Sequence, residues 1–310
     1  MRSVTTRVYF LLVIDFYSYM KFTNTLSKNS FDFVILAVAI LAISTSGPLI
    51  TITAAPALAI AFWRCLIGAI ATAPFAFKSG INIDKNAFKA SLLAGLLLGI
   101  HFAVWIPSLR FTTVAASTAM VATQPAWAAL FARLKGESFP KQVWFGIFIA
   151  LVGVILLTGI DISLNRNAVI GDLLALLGAI FAALYVTVGQ SAREKLTTAQ
   201  YTFIAYSAAA FSLLIISLFL SVKLTGFSRQ AWIYIFLLTL LAQILGHTLF
   251  NITLRSLSAT VVSMGILFEM PGSTIIAALL IGQVPPWQTI PAIVLLMTGM
   301  VFVVKGYKTK

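Results

Sequence analysis

Residues 122–137, ATQPAWAALFARLKGE, are matched at an offset of 146 by residues 268–283, FEMPGSTIIAALLIGQ. Pro125 falls on Pro271, and Gly136-Glu137 falls on Gly282-Gln283. At the same offset, Thr113-Val114-Ala115-Ala116-Ser117 precedes the first segment and Ala259-Thr260-Val261-Val262-Ser263 the second. Both segments end apolar runs long enough to cross a bilayer. Similarity at a fixed offset marks an internal repeat. Each half carries five such runs, and five is odd. The second half therefore enters the membrane from the opposite side, giving an inverted repeat around a midplane site. Each proline also removes one backbone hydrogen bond, freeing a carbonyl one turn earlier, near Val121 and Leu267. Pro125 and Pro271 are thus candidate helix kinks.

The composition agrees with a membrane reading. Of 310 residues, 60% are hydrophobic and 9% charged, and the mean hydropathy is +1.02. A soluble domain carries roughly 25% charge and about 45–50% apolar residues. This excludes a soluble globular protein and a disordered chain. The single cysteine, Cys65, excludes an intrachain disulfide. A net charge of +13 would suggest a nucleic-acid partner in a soluble protein. Here the basic residues sit in short gaps between apolar runs, so no nucleic acid is expected.

A helix needs about 20 apolar residues to span the hydrocarbon core. Ten runs qualify, near 33–52, 56–77, 87–109, 112–132, 143–160, 168–190, 201–222, 231–253, 258–282 and 287–304. None shows the alternation of barrel strands. The expected fold is an all-α integral membrane protein of ten helices in two inverted five-helix repeats. The divisions are a cytoplasmic extension at 1–31, a first repeat at 32–160 and a second at 161–310 with a short cytoplasmic tail. With the N-terminus inside, 16 of the 21 basic residues fall on the cytoplasmic side and four outside, Arg110, Arg166, Lys223 and Arg229. Arg64 lies within a span. That bias supports both termini inside the cytoplasmic membrane. Within the extension, Val8–Ile14 is too short to span, and Met20 is an alternative natural start.

Polar groups inside apolar spans mark function, because a charge at a helix centre costs roughly 2.5–3.5 kcal/mol on insertion scales. Glu269 is the one carboxylate deep within a span, two residues before Pro271. It is a candidate to carry a coupling proton or to hold a substrate ammonium; a structural acid at the kink is the plainer alternative. Gln243, His247, Asn251 and Arg255 are spaced by four, which places them along one inward face of span eight. Arg255 reads as an interfacial topology residue. His247 and Asn251 read as cavity-lining or as ties between helices. His101 and Trp105 are four apart in span three, and Gln124 lies at similar depth in span four. Imidazole also exchanges protons near neutral pH. Trp105 reads as a cavity lid or an aromatic-belt residue. Arg64 is explained by snorkelling or by pairing with a carboxylate, a substrate anion or freed carbonyls. A structural or gating role is favoured over substrate contact. Tyr185 and Ser44-Thr45-Ser46 with Gly47-Pro48 are further cavity candidates.

No Gly-rich nucleotide loop, metal-ligand cluster or intramembrane catalytic pair stands out, so no cofactor and no enzyme activity are expected. No filter-like sequence suggests a channel.

In order along both halves stand AFWRCLIGAI around Arg64, GIHFAVWIPSLRFTTVAAST around His101, ATQPAWAAL…GE, GDLLALLGAIFAALYVTVG from Gly171, QILGHTLFNITLRSLSATVVS around His247, and FEMPGSTIIAALLIGQ. Together they resemble the EamA-like ten-helix carriers of the drug/metabolite transporter superfamily, over about residues 33–304. Two departures stand out. Gln283 stands where that family commonly has Glu, and Glu269-Met270-Pro271 replaces a Glu-Pro pair. The resemblance implies secondary transport of a small organic metabolite, often outward, through a cavity between the halves. Its lining is carried over onto His101, Trp105, Gln124, Tyr185, His247 and Glu269. The resulting expectation is an exporter of amino-acid-like compounds, monomeric or homodimeric, with the lipid bilayer, a small-molecule substrate and protons as partners. Alternatives are an uncoupled facilitative carrier, an exporter of nucleobases or toxic amphiphiles, and, from another class, a membrane enzyme or lipid-handling protein.

Overall fold

The computed structural model describes residues 28–80, 83–134, 136–253 and 265–306; within these, the side chains of 28–30, 161–164 and 251 are outside the description. The readings of residues 1–27, Arg255 and residues 259–263 therefore lie outside the described residues. Described residues form helices throughout: α1 (Lys28–Ser44), α2 (Ser46–Ile52), α3 (Ala57–Lys78), α4 (Lys85–Ser108), α5 (Val114–Val121), α6 (Gln124–Leu134) and α7 (Lys141–Leu164). There follow α8 (Ala168–Lys195), α9 (Thr198–Phe219), α10 (Arg229–Leu238), a π-helical turn (Thr239–Gly246), α11 (His247–Thr253), α12 (Glu269–Ile281) and, after a 3-10 turn (Trp287–Thr289), α13 (Ile290–Gly306).

Among the described residues, eight stretches, each 20 to 28 residues long, are apolar enough to cross a membrane. Their outer faces carry exposed Phe148, Ile155, Leu173, Phe211 and Val294, which in water would form an aggregating surface. The fourth and ninth runs differ from the uninterrupted spans expected. The fourth breaks at Ala122-Thr123 between α5 and α6, and α12 is only 13 residues long, preceded by a turn at Leu267-Phe268. Both prolines lie in the first turn of the helix after the break, where the missing N–H is tolerated. The interruption thus falls beside the carbonyls of Val121 and Leu267 that the prolines leave without a donor. Thr123 Oγ1 donates back to the Met120 carbonyl at 2.6 Å, closing the end of α5.

Caps set the other boundaries. Asp84 accepts from the Ala87 N–H at the start of α4. Thr197 and Gln200 form a capping box at the start of α9. Gly282, at φ +66°, ends α12 in the left-handed region that glycine enters freely.

The helices pack as α4 on α8, α7 on α13, α9 on α3 and α4, and α1 on the π turn, α11 and α12. Glycines allow the close crossings. A Cβ on Gly153 would lie 2.6 Å from the Leu296 nitrogen, and one on Gly299 would lie 2.5 Å from the Ala150 nitrogen. Such small-residue contacts replace the hydrophobic drive that lipid removes.

Candidate functional site

Between these helices lies a cavity of about 440 Å³. Its size suits a small organic ligand, since such pockets run to about 300–1,000 Å³. Six residues expected in the lining meet there: His101 and Trp105 from α4, Gln124 from α6, Tyr185 from α8, His247 from α11 and Glu269 from α12. Arg64 from α3 joins them. Asn251 lies in α11, but its side chain is outside the described residues.

Arg64 is only 1% exposed. Its guanidinium sits inside the bundle, so snorkelling to the interface does not account for it. Nε and Nη2 donate to Gln243 Oε1 at 3.0 and 2.7 Å, and Nη1 donates to Ser46 Oγ at 3.4 Å. The guanidinium carbon stands 4.2 Å from the centre of the Phe102 ring. All three partners are neutral. Arg64 makes no ion pair within 4.0 Å among the described residues.

Trp105 is 4% exposed and stacks on His101, with ring centres 5.5 Å apart and planes at 13°. It belongs to the cavity wall and not to an aromatic belt. Its indole Nε1 is buried with no hydrogen-bond partner among the described residues. His101 Nδ1 lies 2.9 Å from the Gly178 carbonyl oxygen. A carbonyl only accepts, so Nδ1 carries the proton, and in the neutral ring Nε2 is the free acceptor. Glu269 starts α12 just after the break, and Ser44 Oγ reaches its backbone carbonyl at 3.4 Å. Its carboxyl makes no ion pair with Arg64 within 4.0 Å.

The two ends of the bundle differ. At one end, exposed Gln190 and Glu194, with Arg193 and Thr198, line the cavity where it reaches the surface. The same end is tied by Gln200 Nε2 donating to the Gly80 carbonyl at 2.9 Å and by Lys195 Nζ to Asp84 at 3.3 Å. At the opposite end Arg110 donates to the carbonyls of Thr53 and Ala55 at 2.8 and 3.0 Å. There Gln283 Oε1 accepts the Val114 N–H at 2.9 Å, joining the end of α12 to the start of α5. Trp63 Nε1 donates to the Leu224 carbonyl at 2.6 Å. None of the residues making these ties lines the cavity.

The mouth residues Gln190, Arg193 and Glu194 escaped the sequence reading because polar residues at span ends already serve topology. Gln243 was visible in the span-eight stripe, but its pairing with Arg64 joins positions 179 apart.

Residues 32–159 and 169–305 each match the EamA-like transporter family. Over 273 residues the chain is 28% identical to a protein of Bacillus subtilis (strain 168), "Uncharacterized transporter YyaM", covering 81% of this chain and 87% of that one. A solved crystal structure superposes with a TM-score of 0.62 at 18% identity over 88% of this chain and 97% of that chain, a likeness of fold alone. With the two matches spanning most of its length, the chain belongs to the EamA-like transporter family, a family of membrane transporters and not of enzymes.

Proposed function

We propose that the chain is a secondary carrier that exports amino-acid-like metabolites from the cytoplasm by alternating access, with protons as the coupling ion. The observation that carries this reading is a cavity whose buried interior holds the cation Arg64 and the carboxyl of Glu269, with no ion pair between them within 4.0 Å, while Arg193 and Glu194 line only its mouth. A zwitterion presents a carboxylate to Arg64, and the Glu269 carboxyl serves either its ammonium or the coupling proton, two roles that substitution separates.

The helix pairings support two inverted halves, 32–160 and 161–310. Exchanging each segment with the one five places along turns the α4–α8 pair into the α1–π turn–α11 pair, and leaves α3–α9 and α7–α13 unchanged in kind. The broken fourth segment and the short α12 also exchange. Discontinuous helices in corresponding positions of two halves are a mark of carrier sites. The side to which the cavity opens is read from charge. The end carrying Lys78, Lys85, Lys141, Arg193, Lys195 and Lys305 reads as cytoplasmic. The cavity opens there, so this conformation accepts solute from the cytoplasm.

Purified protein in liposomes should move amino acids when only a gradient is supplied, and a proton gradient should drive net flux. No flux across a broad metabolite panel, with or without a pH gradient, sinks the carrier reading. Flux of nucleobases or amphiphiles alone removes the amino-acid part of it.

A further inference from the structure

We propose that Arg64 is the substrate's carboxylate subsite, a cation held in place by neutral groups so that its charge stays free for the ligand. The inference rests on the carrier reading and names one contact within it.

A buried charge is normally paired, because an unpaired one is costly in low dielectric. Arg64 is buried without an acid partner among the described residues. Its fixing groups are an amide oxygen, a hydroxyl and a phenyl face. These orient the guanidinium and leave its full charge in place. Three of its five N–H groups have partners: Nε–H, one on Nη2 and one on Nη1. One N–H on each terminal nitrogen has no partner among the described residues, leaving two donors for a carboxylate. Trp105, in the wall of the same cavity, adds a buried indole N–H that has no acceptor among the described residues. An entering carboxylate supplies what these donors lack.

A role confined to tying helices together makes the opposite demand. For that purpose a Glu at position 243 would serve better than Gln, as a charged partner. Gln243→Glu therefore separates the two roles: it keeps the geometry and neutralises Arg64.

The test uses the full chain in lipid nanodiscs and a matched set of probes: leucine, threonine and methionine, with the methyl ester and the decarboxylated amine of each. Binding is read by thermal shift and by competition in counterflow. Free carboxylates should bind, and the esters and amines should bind about tenfold or more weakly. Gln243→Glu should fold with an unchanged or raised melting temperature and lose the carboxylates by about the same factor. Arg64→Lys should lose part of the affinity, since an ammonium cannot offer donors from two separate nitrogens.

Esters or amines binding as well as the acids overturn the proposal in the wild-type protein alone, whatever the variants do. Undiminished carboxylate binding by Gln243→Glu also overturns it. Either outcome, with flux retained in liposomes, leaves the carrier reading standing. Loss of all flux for every compound class removes that reading and the subsite with it.

Discussion

Gln243 Oε1 receives two N–H groups of Arg64, at 3.0 and 2.7 Å, across 179 residues of sequence. One neutral amide, presented by the π turn between α10 and α11, thus positions the buried cation of α3. A π turn widens the backbone locally, and such turns recur at functional sites. Here it places Gln243 toward Arg64 while His247, four residues on, lines the cavity.

Gln243→Leu should destabilise the protein. It removes two hydrogen bonds to a charged group and leaves the guanidinium with a distant hydroxyl and a ring. Hydrogen bonds to charged groups contribute about 1.5–3 kcal/mol. Thermal unfolding in detergent should show a fall of that order. Pairing the change with Arg64→Met should recover much of the loss, because the unpaired charge is then gone. A double variant as unstable as Gln243→Leu alone contradicts this account.

Gly153 and Gly299 should be intolerant of side chains. In each case the added Cβ meets the facing helix's backbone, 2.6 Å from the Leu296 nitrogen and 2.5 Å from the Ala150 nitrogen. Backbone does not swing aside as a side-chain tip does, so α7 and α13 must separate. Either glycine to alanine should cost about 1–3 kcal/mol. Gly159, with nothing within 4 Å of an added Cβ, is the internal control and should accept alanine without loss. Unfolding temperatures of the three variants compare them directly.

Asp84 gives a pH-dependent feature outside the membrane. The Ala87 N–H, and after it the Lys195 ammonium, hold its carboxyl below the usual carboxylate range. A lowered folded value means the cap is fully present above the unfolded value of about 3.9 and is lost as pH falls through the folded one. Amide exchange at Ala87 should therefore stay slow down to about pH 4 and quicken only below it. Asp84→Ala should quicken that exchange at neutral pH. Asp84→Asn keeps the acceptor and should leave it nearly unchanged. Equal exchange in all three proteins would show that the cap contributes nothing to α4.

Much of this architecture was legible in the sequence, for a definite reason. Lipid forces each span to be about 20 residues long and tolerates polar groups only where protein or water satisfies them. Run length therefore located α3, α4, α8 and α9 to within a few residues. The polar residues inside runs, His101, Gln124, Tyr185, His247 and Glu269, pointed to the cavity. The break at Ala122-Thr123 was half visible, since Pro125 announced a disturbance but not that the helix stops. The π turn has no local signature, because Thr239–Gly246 has an ordinary helical composition. Arg64 was the residue least readable from its own run. A cation eight residues into a helix fits snorkelling as well as burial, and only tertiary packing against Gln243 and Phe102 decides between them.

Glu269→Gln is the sharpest test of coupling. The change is nearly isosteric and removes the side chain's ability to carry a negative charge or a proton. The backbone at this position is held independently of the carboxyl, by Ser44 Oγ reaching the Glu269 carbonyl and by Ser273 Oγ donating to the Ser44 carbonyl at 2.8 Å. The side chain itself makes no ion pair among the described residues, so the substitution should leave the fold intact. Two fluxes then separate the roles. Exchange of substrate across a membrane without a pH gradient needs the cavity but no net proton movement, and it should persist. Net flux driven by a pH gradient should fall by about tenfold or more, a loss of at least about 1.4 kcal/mol in coupling. If Glu269 instead holds the substrate's ammonium, both fluxes fall together and the apparent affinity for substrate drops. Unchanged pH-driven flux excludes Glu269 as the proton carrier and leaves the two histidines of the cavity, His101 and His247, as the next groups to substitute.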